Sequence, residues 1–164
     1  MLDWQLYRNL ENSLKDFLDD EVSSDNVTDY DNNLITIRVG RKLDNDWTLP
    51  CISIYLDGET SQRLQLGSNQ RIKQYLLILD IFAQDEGQRL DLAYWLSDKL
   101  ENGFRYYSYT VNPANPEQPI KTSHGLVNID AFVTNTRVNL GDTVSDFDAH
   151  RHRISIRVWI SGDC

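Results

Sequence analysis

The first apolar pattern in the chain has helical spacing. Leu6, Leu10, Leu14, Phe17 and Leu18 recur three and four residues apart and make one stripe. This predicts an amphipathic helix over residues 3–22, with Asp3 as its N-cap. The acidic, polar run from Asp19 to Asn33 ends that helix and reads as a solvated linker. The period then changes to two. Ile35, Ile37 and Val39 alternate with Thr36 and Arg38, and Ile52, Ile54 and Leu56 alternate with Ser53, Tyr55 and Asp57. Each run reads as a strand with one buried face, and Asp57-Gly58 as the turn that ends the second. Residues 71–84 are apolar on both faces around Tyr75-Leu76-Leu77-Ile78-Leu79, which predicts a central strand covered on both sides.

Asp85 and Gln88 have the spacing of a capping box. Leu92, Ala93, Leu96 and Leu100 then form the seam of a second helix, and Gly103 marks its stop. Tyr106, Tyr107 and Tyr109 suggest a short strand. Pro113, Pro116 and Pro119 place a loop over residues 112–125. A long strand is expected from Leu126 to Leu140, with Val127, Ile129, Ala131 and Val133 on one face, then an acidic loop from Gly141 to Ala149. Arg153 to Ser161 closes the chain, with Ile154, Ile156, Val158 and Ile160 facing inward. The order predicts one α+β domain over residues 1–164. Two helices pack on an antiparallel or mixed sheet of about four to six strands, and long strands or loops extend from the core. Such edges need cover, which pairing with a neighbouring subunit would supply.

Composition narrows the classes. The 164 residues are 40% hydrophobic and 25% charged, the balance of a globular chain. No stretch approaches the roughly 20 apolar residues of a membrane span. Met1-Leu2-Asp3-Trp4 opens without a basic region or apolar run, so no signal peptide is expected and the chain reads as cytosolic when made. Cys51 and Cys164 make no disulfide framework. The net charge of −9 disfavours nucleic-acid binding by counterion release, which needs Lys and Arg facing phosphate. It permits a surface past which DNA slides, and solubility explains it equally well.

Candidate chemistry is sparse. Asp146, Asp148, His150 and His152 could bring carboxylates and imidazoles to one divalent transition metal. Arg151 and Arg153 flank the histidines and compete for the carboxylates. Against this stands the plainer reading of a polar loop running into a strand. Ser123-His124 lacks the G-x-S-x-G elbow of a nucleophile. Asp85-Glu86 is better read as a helix cap than as acid–base machinery, and Asp19-Asp20-Glu21 as the frayed end of the first helix. No phosphate-cradling glycine loop is present. Trp47 and Trp159 fall on otherwise polar strand faces, where each is either an interface anchor or core beneath a helix.

Family resemblance goes further. Trp47-Thr48-Leu49-Pro50-Cys51-Ile52-Ser53-Ile54 follows a W-x-x-P-x-I-x-I strand. Leu66-Gly67 and a long strand come next. Ile81-Phe82-Ala83-Gln84-Asp85-Glu86-Gly87-Gln88-Arg89 follows I-x-A-x-[DE]-E-x-x-R and leads into Leu92-Ala93-Tyr94-Trp95-Leu96, then Leu100 and Tyr106-Tyr107. In this order, over most of the chain, the segments resemble the tail-terminator (neck) family of tailed bacteriophages. The Pro-rich loop and the acidic loop do not fit any one subtype. The resemblance implies a structural virion protein without cofactor or catalysis, assembled in the host cytoplasm. It implies a homohexameric ring that caps the head-proximal end of the tail tube. Its partners would be the tail tube protein, a head-completion or connector protein and, in a contractile tail, the sheath protein. DNA would pass through the lumen without specific binding, and no membrane is involved. Trp47, Trp159, Asn112, Asn115, Glu117 and Lys121 are the expected subunit or tube contacts. The alternatives are another phage neck or contractile-injection-particle component, a small metal-dependent hydrolase built on Asp146, Asp148, His150 and His152, and a small-ligand binding module.

Overall fold

A computed structural model describes residues 4–40, 47–63, 66, 67, 69, 71–138 and 148–162. Helix α1 spans Leu6–Asp25. Strands β1 (Thr36–Val39), β2 (Cys51–Arg63) and β3 (Arg71–Ala83) follow. Helix α2 covers Glu86–Leu100, and β4 (Phe104–Thr110), β5 (Ile120–Arg137) and β6 (His150–Gly162) complete the chain. The strands form one six-stranded mixed sheet in the order β1-β2-β3-β6-β5-β4. Only β1 and β2 run parallel; the other neighbours are antiparallel. The predicted α+β class, with two helices on such a sheet, is the observed one.

Both helices bury their apolar stripes on the same face. Leu10, Leu14, Leu18 and Val22 of α1 join Leu92, Ala93, Leu96 and Leu100 of α2 in one core with Ile52, Ile54, Leu77, Leu79, Ile81, Ile154, Ile156 and Val158. Helix α1 touches β4 at one end of the strand order and β1 and β2 at the other, so the sheet curls around it. Polar α1 side chains close the backbone at both places. The Ser13 hydroxyl accepts the Tyr107 N–H of edge strand β4 (2.9 Å). The Glu11 carboxylate accepts the Leu56 N–H of β2 (2.7 Å), just past the last β1 pair, Val39 with Ile54. Unpaired backbone groups are costly when buried, so these two side chains do the work of missing strands.

Several expected boundaries move. Helix α1 begins at Leu6, not at residue 3, with Gln5 as a cap that makes no side-chain hydrogen bond; Asp3, the expected N-cap, lies outside the described residues. It also runs through the acidic stretch read as a linker and ends only at Asn26, which adopts a left-handed conformation. Lys15 with Asp19, and Lys99 with Glu21 and Asp25, offset the repulsion along that stretch. Asp57-Gly58 is not a turn. It is a β-bulge inside β2, which continues to Arg63. The Pro-rich loop ends at Pro119, because Ile120 begins β5 and pairs with Thr110. Two bulges in β5, at Ile129/Ala131 and Phe132/Thr134, break its alternation, so Val133 is exposed instead of facing inward. Residues 139–147, which carry most of the expected acidic loop and the end of the expected long strand, lie outside the described residues.

The central strand is buried on both faces by different means. One face meets the helices. The other carries Ile78, Asp80 and Phe82, with Trp47 edge-on to the Phe82 ring at 6.4 Å and the Arg151 guanidinium over it at 5.0 Å. The Asp85–Gln88 capping box forms with one change. Asp85 accepts the Gln88 N–H (2.9 Å), but the Gln88 side chain reaches the N–H of Gln84, one residue earlier than expected.

Gly103 ends the α2 connection at φ +71, and a Cβ there would lie 2.2 Å from the Val127 carbonyl oxygen. Gly58 has no such neighbour and no left-handed φ. Gly103→Ala is therefore expected to cost more than about 1 kcal/mol in urea unfolding, while Gly58→Ala stays within about 0.5 kcal/mol.

Candidate functional site

The sheet forks. Strands β3 and β6 pair from Ala83–His150 up to Tyr75–Val158 and then part. Beyond that point β3 stays with β2 out to Arg71–Arg63, while β6 stays with β5 out to Gly162–Gly125. A cavity of about 960 Å³ opens between the two branches, beneath the start of α1. Trp4, Ile72, Tyr106, His124, Trp159 and Ile160 are among its walls. Its volume and aromatic lining suit an apolar group, and polar side chains such as Arg71, Gln74 and Asp130 also line it. Gln74 donates to Asp130 across the fork at 3.2 Å, and His124 Nε2 is 2.7 Å from the Ser108 hydroxyl. Beside the cavity, burial and the nearby Glu59 charge push the Tyr75 hydroxyl up to about 12, so it stays protonated. Tyr7 donates to Glu59 (2.7 Å) and stacks edge-on against Tyr75.

The expected contact residues are dispersed. Trp159 is 38% exposed and lines the fork. Trp47 is half-buried at the far end of β3, with Arg38 5.8 Å above its ring. Asn112 and Asn115 shape the loop between β4 and β5: the Asn112 side chain accepts the Ala114 N–H, and the Asn115 carbonyl accepts the Gln118 N–H. Glu117 is exposed on that loop. Lys121 is tied to Asp16 of α1 at 2.7 Å and lies over the Tyr107 ring. The structure thus brings only Trp159 to the fork and leaves the loop residues on a separate surface.

The histidine cluster is organised around arginine. His150 and His152 do share one face of β6, as alternation requires. Arg89 of α2 donates to His152 Nδ1 at 2.5 Å, and His152 Nε2 lies 2.6 Å from the side-chain oxygen Oδ1 of Asn135. Arginine has no acceptor, so Nδ1 is the bare nitrogen and Nε2 carries the proton. Both ring nitrogens are therefore committed to protein partners. His150 Nδ1 lies 3.6 Å from Glu86, which also holds Arg89 at 2.5 Å. That arginine pulls the Glu86 carboxyl down to about 2. Asp148 is 3.8 Å from Arg151, and Asp146 lies outside the described residues. Among the described residues, no group of three or more His, Cys, Asp or Glu could hold a metal.

The competition expected of Arg151 and Arg153 is real, but their carboxylate is one that the sequence reading passed over. Asp80, 1% exposed in β3, takes Arg151 at 2.5 Å and Arg153 at 2.8 Å. Arg153 also donates to the Tyr55 hydroxyl (3.1 Å). The signal was a lone aspartate inside an apolar strand, which has to find cations across the sheet. His124 and Ser123 do not form a nucleophile pair: His124 meets Ser108, and the Ser123 hydroxyl accepts from Arg105.

No protein-family model matches the chain, and a search of the curated proteins finds no match.

The His152 network makes stability depend on pH. Burial, then the Arg89 charge, lowers the His152 pKa below its ordinary value. The unfolded chain therefore binds the extra proton first. The stabilisation is complete above about pH 6.5 and is lost as pH falls through the ordinary histidine range toward the lower folded value. Urea midpoints should fall between pH 7.5 and 5.5, and more steeply in the native protein than in His152→Gln. Equal slopes would remove His152 as the cause.

Proposed function

We propose that this chain is a tail-terminator subunit: a structural protein whose homohexameric ring caps the head-proximal end of a phage tail tube. One ring face matches the last ring of tube protein. The opposite face does not match a further tube subunit, so growth stops there without covalent chemistry. That opposite face receives the head-completion or connector protein, and in a contractile tail the sheath contacts the same ring. Head-to-tail rings need two different surfaces on each copy. The observation that carries the reading is the pair of strand segments that leave the compact core with an open edge. These are the end of β2, past its last β1 partner, and the end of β5, past its last β4 partner.

Charge fits the same role. The chain carries −9, and several of its cations are spent on internal carboxylates, including Arg89, Lys99, Lys121, Arg151 and Arg153. A lumen built from such a chain repels phosphate and lets DNA slide. The metal-dependent hydrolase has less support, because the two nitrogens of His152 are held by Arg89 and Asn135. A small-ligand module is the second reading, and the cavity in the fork favours it.

Mixing the protein with growing tail tubes separates these readings. The proposal expects shorter tubes of narrower length distribution, each closed at one end by a ring. Unchanged lengths and unchanged ends would sink it. An apolar fluorescent probe that binds stoichiometrically and is released by Trp159→Ala would favour the ligand module instead.

A further inference from the structure

The cavity in the fork has an inner and an outer end, and strand β3 brings a polar group to each. Arg71, Lys73 and Tyr75 share one face of β3 by alternation, and all three line the cavity. Tyr75 sits at the inner end, where the β3–β6 ladder stops at Val158. Arg71 sits at the outer end, where β3 pairs with β2 alone among the described residues. Four residues of extended strand set them roughly 13 Å apart.

Both end groups have bonding capacity that the protein leaves unused. Tyr75 is only 4% exposed, yet among the described residues its hydroxyl meets no hydrogen-bond partner. The hydroxyl is not one of the sealed polar atoms, so an atom in the cavity can reach it. Burial and the Glu59 charge keep it protonated, so it both donates and accepts. A buried hydroxyl left without a partner is uncommon and costly. Arg71 is exposed, and its guanidinium meets a neutral group, the Ser61 hydroxyl, at 3.0 Å. Among the described residues it makes no ion pair. Lys73 differs: Glu59 lies 3.3 Å away and also accepts the Tyr7 hydroxyl. Gln74, on the other face of β3, is bonded to Asp130.

Between the two ends the walls include Trp4, Tyr106, His124 and Trp159. Flat rings stack well on such walls. The volume of about 960 Å³ falls in the range of small-molecule sites. We infer that the fork binds an elongated aromatic acid, its carboxylate on Arg71, its rings among Trp4, Tyr106 and Trp159, and a hydroxyl or carbonyl at its far end on Tyr75. The reverse orientation would bring a carboxylate toward Glu59, whose charge already acts on Tyr75. The inference rests on the second reading of the fork, as a ligand site, and is independent of the ring.

Titration calorimetry with three probes tests it. They are a biphenyl carboxylate with a hydroxyl at its far end, the same acid without that hydroxyl, and the methyl ester of the first. The hydroxy acid is expected to bind once per chain, and the other two about tenfold more weakly. Arg71→Gln should weaken the hydroxy acid about tenfold and leave its ester unchanged. Tyr75→Phe should weaken the hydroxy acid about tenfold and leave the acid without the hydroxyl unchanged. Unchanged urea midpoints would show that both variants keep the fold. If Tyr75→Phe does not fold, the two acids compared on the native protein still report the same contact. Absence of binding by all three probes overturns the inference and the ligand reading together. Equal binding of all three, or losses that do not follow these pairings, overturns the inference and leaves the fork an unselective apolar pocket.

Discussion

Everything else in this molecule depends on how α1 sits inside the curl of the sheet. Leu10, Leu14 and Leu18 are fully buried there, and the β2 and β4 strands beside the helix each give one backbone N–H, at Leu56 and Tyr107, to a polar side chain from it. A Leu-to-Ala change in that seam belongs to the class that costs about 2–5 kcal/mol. The hydrogen bonds are smaller individually, but they decide which edges are closed. Ser13 takes the Tyr107 N–H of the β4 edge and Glu11 the Leu56 N–H of β2, while among the described residues the ends of β2 and β5 run on past their β1 and β4 partners. The shape of the outer surface is thus a consequence of where one helix reaches.

Charge is handled in the same economical way. Asp80 would be intolerable in a central strand alone, and Arg151 and Arg153 make it tolerable from the neighbouring strand. Glu86, Arg89, His152 and Asn135 join α2 to β6 and β5 by a chain of charged and neutral partners. Their geometry is that of struts: both nitrogens of the His152 imidazole are met by protein partners, and the buried carboxylate is met by two cations.

Much of this was legible in the sequence, and the failures have physical causes. The two helical seams, the inward run Ile154, Ile156 and Val158, and the stop at Gly103 follow from periodicity and from glycine's freedom. Boundaries failed where a local signal lost to a longer-range one. The acidic run after Leu18 stays helical because Lys99, seventy-odd residues on, meets Glu21 and Asp25. Asp57-Gly58 stays in a strand because β3 continues beside it, a bulge absorbs Asp57, and Gly58 pairs with Leu76. The three prolines do mark a loop, but Gly125 and the residues before it are held as strand by β4. At the candidate site, Trp159 could be flagged from its polar strand face. The fork itself could not, because it arises where β3 and β6 choose different partners, and no single segment encodes that choice.

The central claim is that this protein ends tubes instead of extending or ignoring them. Counting labelled copies along individual tail tubes by electron microscopy tests it most directly. The account predicts one compact ring of label at a single end of each tube and none along its length. Label distributed along the tube, or absent from both ends at saturating protein, would contradict it.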